Sequence, residues 1–126
     1  MKTWKLVIPA VFLLLMAGCR TADVYNVQGA PGASKAVSMA DVETAIRRAG
    51  QGLGWQITSQ GPGRAEGVLV LREHRAVVSI TYDTKSYSIL YKDSSNLHYD
   101  GKMIHSNYNG WIQNLDKAIR TQLSLL

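Results

Sequence analysis

The densest run of reactive side-chain types lies between Asp93 and Trp111. Asp93-Ser94-Ser95-Asn96-Leu97-His98-Tyr99-Asp100 is followed by Gly101-Lys102-Met103 and then by Ile104-His105-Ser106-Asn107-Tyr108-Asn109-Gly110-Trp111. A hydrolase draws on these types, with Ser95 or Ser106 as nucleophile, His98 or His105 as base, and Asp93 or Asp100 to orient the base. The strand-turn-helix elbow with flanking glycines that presents a nucleophilic serine is missing from the pattern, so no catalytic residue is assigned and the chain is expected not to be an enzyme. His98, Asp100 and His105 are also metal-ligand types. Neither i,i+4 spacing on a helix nor an alternate-residue pair on a strand pre-sets their geometry, so no metal and no cofactor is expected.

The same residues have a structural reading. Ser106 or Asn107 caps a helix, His105 hydrogen-bonds within the loop, and Tyr108 and Trp111 belong to the core. Packing alone would not select Asn107, Asn109 and Gly110 for a first helical turn, because all three are poor helix formers. The stretch is therefore expected to act as a recognition corner, with His98, Tyr99, His105 and Asn107 as the candidate binding residues. His74 falls in a hairpin turn and is expected to face solvent.

The elements that must hold this corner follow from periodicity. Ser38 reads as a helix N-cap with Asp41 three residues on, and Met39, Val42, Ala45, Ile46 and Ala49 form an apolar stripe. Arg47 and Arg48 suit the last turn of that helix, and Gly50 its stop. From Gly54 to Asp93 the period changes to two, giving strands at Trp55 to Ser59, Gly67 to Glu73, Ala76 to Tyr82 and Tyr87 to Lys92, with a loop at Gln60-Gly61-Pro62-Gly63. Short connections make the neighbours antiparallel. Alternation puts Val78, Ile80 and Tyr82 on one face with Tyr87, Ile89 and Tyr91. A second helix begins near Asn107; its stripe of Tyr108, Trp111, Ile112, Leu115, Ile119 and Leu123 makes it the main anchor, with Asp116 and Arg120 facing away. The expected fold is α+β: helix, four-stranded antiparallel meander, helix, with both helices on one face of the sheet.

The chain opens with the basic Met1-Lys2-Thr3-Trp4-Lys5 and then runs apolar from Leu6 to Ala17, interrupted by Pro9. Twelve residues at about 1.5 Å each are too short for a permanent membrane span of about 30 Å, so residues 1–18 read as a signal peptide. Its last residues, Met16-Ala17-Gly18-Cys19, resemble the lipobox of bacterial lipoproteins, in which a medium apolar residue and two small ones precede a cysteine that becomes acylated. The resemblance implies lipidation of Cys19 after cleavage and a membrane anchor through palmitate-type chains. Arg20, where such lipoproteins carry Asp for inner-membrane retention, implies the outer membrane.

Residues 19–37 have no period and contain Gly29, Pro31, Gly32 and Ser34. They read as the lipidated N-terminus and a flexible linker with a reach of about 20 to 25 Å, leaving 38–126 as a single α+β domain. Of the 14 basic residues, Lys2 and Lys5 lie in the leader, and the other twelve are scattered against 9 acidic ones with no dense run, so nucleic acid is not an expected partner. A content of 46% hydrophobic and 18% charged residues excludes wholesale disorder, and the single cysteine excludes a disulfide scaffold. The segment Ile104 to Ile112, following a tyrosine-rich meander, resembles small envelope lipoproteins of Gram-negative bacteria, a resemblance that implies location and no activity. The expected function is a membrane-tethered, non-enzymatic binding or scaffold module on the periplasmic side of the envelope, whose partner is an envelope protein or cell-wall component. The alternative is a small-ligand or metal-binding domain, with hydrolysis as one option, centred on the 98–109 loop.

Overall fold

In a computed structural model, residues 20–126 are described. The leader and Cys19, and with them the lipobox, lie outside the described residues. Nine elements follow in order: β1 (Thr21–Asp23), β2 (Val27–Pro31), α1 (Met39–Gly52), β3 (Gln56–Ser59), β4 (Arg64–Leu71), β5 (His74–Tyr82), β6 (Ser86–Ser95), β7 (Met103–His105) and α2 (Ser106–Ser124). One antiparallel sheet has the order β2-β6-β5-β4-β3, and β1 pairs with β7 in a separate antiparallel ribbon.

The expected helix-first, four-stranded arrangement is therefore corrected: strands precede α1, and the sheets hold five and two strands. The segment read as a flexible linker contains β1 and β2. Its glycine and proline break the alternation, yet an edge strand tolerates both. β2 has only β6 beside it, and its register shifts between Val27 and Ala30, where Gly29 adopts φ +64° and donates its N–H to Ser88 Oγ at 2.9 Å. This bulge returns Val27 and Ala30 to the buried side.

α1 starts as expected, with Ser38 and Asp41 forming a reciprocal capping box. It does not stop at Gly50 but runs on to Gly52, so Arg47 and Arg48 lie before its final turn. The glycine instead serves packing, because a Cβ there would collide with the Ile57 side chain and press on that of Trp55.

The expected alternation holds in the middle of the sheet. Ala76, Val78, Ile80 and Tyr82 of β5 and Tyr87 and Ile89 of β6 form one cluster with Val42, Ala45, Ile46 and Ala49 of α1 and with Tyr108, Ile112, Leu115, Ile119 and Leu123 of α2. Trp111 is only partly buried at the margin of this cluster, whereas Ile112, Leu115 and Ile119 are wholly inaccessible, so the aliphatic residues rather than the indole anchor α2. On the opposite sheet face Lys92 Nζ lies 3.1 Å from Glu66 Oε1.

Two helices of opposite direction define the ends of the molecule. α1 begins near Gly63, whose Cβ position faces Met39, and finishes near Gly54, which faces Leu69 late in β4. α2 begins at the β7 end and finishes with Leu123 and Ser124 beside Pro31 to Ser34. Among the described residues no helix is long and apolar enough to cross a membrane.

Asp116 does not face away as expected. It is 8% exposed, accepts a short hydrogen bond from Tyr87 Oη, and receives Arg120 Nε at 3.3 Å. Buried carboxylates persist when paired and hydrogen-bonded, and both conditions hold here. Burial, reinforced by the Asp116 carboxylate, holds the Tyr87 hydroxyl far above the ordinary tyrosine range. Burial alone does most of the same for Tyr108, whose hydroxyl is the buried side-chain polar atom without a partner among the described residues.

Two outcomes follow. Ile112→Ala should destabilise by about 2 to 5 kcal/mol, and Trp111→Ala by less, in urea unfolding. Because the tyrosine hydroxyls of Tyr82, Tyr87, Tyr91 and Tyr108 are all raised by burial, the folded state keeps their protons after the unfolded chain begins to release them at about pH 10. Stability from these groups is fully present below that pH and falls as pH rises beyond it, by up to about 1.4 kcal/mol per pH unit for each group. Urea midpoints between neutral pH and pH 11 measure the decline. Tyr108→Phe, which deletes the orphaned hydroxyl, should be neutral or stabilising and should flatten the curve.

Candidate functional site

The candidate residues gather at the start of α2, where three segments meet. β7 passes into α2 with no intervening residue, and His105 serves both elements: it pairs with Thr21 of β1 and is the N-cap of α2. Its Nδ1 accepts the Asn107 N–H at 3.1 Å, which assigns the proton of the neutral ring to Nε2. The expected cap at Ser106 or Asn107 is thus displaced by one or two positions. The His105 N–H donates to Leu97 O at 2.8 Å, and the Ser106 N–H to Arg20 O at 2.8 Å.

The loop from Asn96 to Lys102 is shaped by two residues in the left-handed region, Asn96 at φ +59° and His98 at φ +53°. Between them Leu97 is buried, 1% exposed, which turns the flanking side chains outward. Asn96 clamps the neighbouring β4–β5 hairpin: its Nδ2 donates to Glu73 O at 2.8 Å, and its carbonyl lies 2.8 Å from His74 Nδ1. Asp100 Oδ1 accepts the N–H groups of Met103 at 2.7 Å and Lys102 at 3.0 Å, and these bonds hold its carboxyl below the usual carboxylate range. That carboxylate closes its own turn. Tyr99 stacks on Tyr91 with ring centroids 4.0 Å apart, and Tyr91 meets the edge of Tyr108 at 5.7 Å.

His74 is half-buried, not solvent-facing as expected. Its ring lies 6.0 Å from that of His105 and 6.1 Å from that of Trp111. The cause was present in the alternation, since His74 shares its parity with Ala76, Val78 and Ile80 and so points to the helix side of β5. The bonded ring nitrogens of His74 and His105 go to a backbone carbonyl and a backbone N–H, and Asp93 is engaged by Arg75 at 3.8 Å and by the Ser94 N–H at 2.8 Å. Among the described residues no three His, Cys, Asp or Glu side chains come together to hold a metal ion.

Of the four candidates, His105 and Asn107 are joined directly, Tyr99 is held through Tyr91, and His98 and Asn107 are exposed. Asn109 ties the corner to the N-terminal strand: its Nδ2 donates to Asp23 O and its Oδ1 accepts the Tyr25 N–H, both at 2.9 Å. This accounts for an asparagine in the first turn of α2. A separate groove of about 430 Å³ runs between the helices, lined by Arg48, Leu53, Lys117 and Gln122 among others.

No family model, curated protein or solved structure matches the chain.

His105→Ala should remove the α2 cap and cost about 0.5 to 2 kcal/mol, while His105→Asn, which retains an acceptor, should recover most of the loss. Urea unfolding of the two variants side by side measures the difference.

Proposed function

We propose that this chain is a lipid-anchored protein of the bacterial cell envelope, held on the periplasmic side, at the outer membrane, as a non-enzymatic binding or scaffold module. The observation that carries the reading is Met16-Ala17-Gly18-Cys19 at the end of a short basic and apolar leader, in a chain with no other cysteine. A thiol is the side chain that takes a diacylglyceryl group, and a lone free thiol in an oxidising compartment is otherwise a liability. Two or more acyl chains anchor stably, since each buried CH₂ contributes about 0.8 kcal/mol and one chain alone is marginal.

The recognition surface in this reading is the corner of His98, Tyr99, His105 and Asn107, and its partner is a protein or cell-wall component of the envelope. What supports it is a mostly polar, exposed surface carried on a rigid frame: the loop is fixed through Leu97, Asn96 and Asp100, and its aromatic member is fixed by stacking. Binding residues concentrate on loops held in this way.

Cys19→Ala should abolish acylation and signal-peptide removal. Metabolic labelling with a palmitate analogue reads the first, and equal incorporation into wild type and variant would sink the lipoprotein reading.

A further inference from the structure

We infer that the end of the domain at the start of α2 seats directly on the headgroup zone of the bilayer that holds the lipid, so that the module lies on the membrane instead of hanging from a tether and its recognition corner meets an envelope protein embedded in that same bilayer. The inference rests on the lipidation of Cys19 proposed above. Its first support is the chain path. Arg20 follows Cys19 by one peptide bond, about 3.8 Å between Cα atoms. The Arg20 carbonyl accepts the Ser106 N–H at 2.8 Å, and Thr21 is already paired with His105. With one residue between the lipidated cysteine and a hydrogen-bonded strand, the attachment point lies within two Cα steps, about 8 Å, of Thr21, which pairs with the α2 N-cap, so the acyl chains enter the bilayer at this end of the domain.

The second support is independent of the anchor. Six large apolar side chains are exposed among the described residues, and four of them, Tyr25 (37%), Val70 (64%), Leu71 (46%) and Tyr99 (38%), belong to this end. Val70 and Leu71 close β4 at the hairpin that Asn96 clamps, with Leu71 in register with His74. Tyr25 is bonded to Asn109 in the first turn of α2, and Tyr99 sits in the loop that leads into β7. Of the other two, Leu53 lines the groove between the helices and Leu125 follows α2 at the opposite end. Tyrosine suits the headgroup level, where its ring meets apolar matter and its hydroxyl meets water.

Charge defines the kind of surface. Arg20, Arg72 and Lys102 are exposed here, and Asp23, Glu73 and Asp100 oppose them one for one, while Arg75 pairs with Asp93. Attraction to anionic lipid is therefore small, and the contact depends on apolar and aromatic insertion with little sensitivity to salt.

The test uses the acylated full-length mature protein in vesicles of phosphatidylethanolamine and phosphatidylglycerol. Cys19 is the one cysteine of the chain, and acylation consumes its thiol, so an introduced cysteine is the only free one. An environment-sensitive fluorophore is placed at Asn107→Cys or Lys102→Cys at the seated end, and at Lys85→Cys or Ser124→Cys at the other, Ser124 being about 26 Å from Asn107 along α2. Lipid-borne quenchers should quench the first pair severalfold more than the second, in low and high salt alike, and Tyr25→Ser with Tyr99→Ser should narrow the ratio while leaving acylation intact. Protein mass carrying the lipid together with equal quenching at both ends would overturn the seating and leave the lipoprotein reading standing. Absence of the lipid mass on Cys19 would overturn both.

Discussion

Burial of the α2 stripe against the alternating face of β4 to β6 is the constraint on which the other features depend. Side chains in a strand alternate between faces, so a slip of one residue would carry Ala76, Val78 and Ile80 to the open side and leave Ile112, Leu115 and Ile119 without partners. The register has to hold across the sheet, and where the chain departs from strict alternation it does so in a bulge. One bulge lies between Val27 and Ala30 and another between Val77 and Val78, where β5 and β6 shift against each other. The first keeps Val27 and Ala30 on the side where the helices lie, and the second inserts Lys92 into β6 beyond Tyr87 and Ile89, where the strand runs on into the polar Asp93, Ser94 and Ser95.

The polar groups taken into this interior are few and are placed at its margin. Asp116 projects from α2 toward β6 and is met by the Tyr87 hydroxyl from the sheet and the Arg120 guanidinium from the same helix. The arrangement joins helix to sheet between the buried Leu115 and Ile119 of the α2 stripe. The other end is closed differently. There the ribbon of β1 and β7, the stacked Tyr91 and Tyr99, and the His74, His105 and Trp111 rings close the core with aromatic and backbone contacts.

Both helices and the individual strands β3 to β6 were legible from local pattern, because each repeats its period over several residues and is bounded by turn residues, but the five-stranded sheet they belong to was not. Ser38 and Asp41 marked the start of α1 to the residue. β1, β2 and β7 were illegible for a physical reason: they are three to five residues long, too short to display a period, and their partners lie far along the chain. Gly29 and Pro31 gave β2 the composition of a linker, while its position at a sheet edge made both acceptable. In the candidate site the junction of loop and helix was visible, but His105 as the cap was not, since histidine is an uncommon N-cap and Ser106 and Asn107 offered better ones. Asn109 read as a poor helix former that pointed to recognition, whereas its side chain is occupied by Asp23 and Tyr25.

The absence of any residue between β7 and α2 has a mechanical meaning. A connecting loop lets a helix tilt against the strand it follows, because several pairs of torsion angles share the motion. Here the single pair at His105, φ −53° and ψ 129°, sets the angle between strand and helix axis, and the imidazole braces it by holding the Asn107 N–H. The junction is a stiff elbow without slack. Displacement of the ribbon at one side of the molecule is therefore carried along the whole of α2 to Leu123 as a lever carries it, instead of being absorbed where it arises.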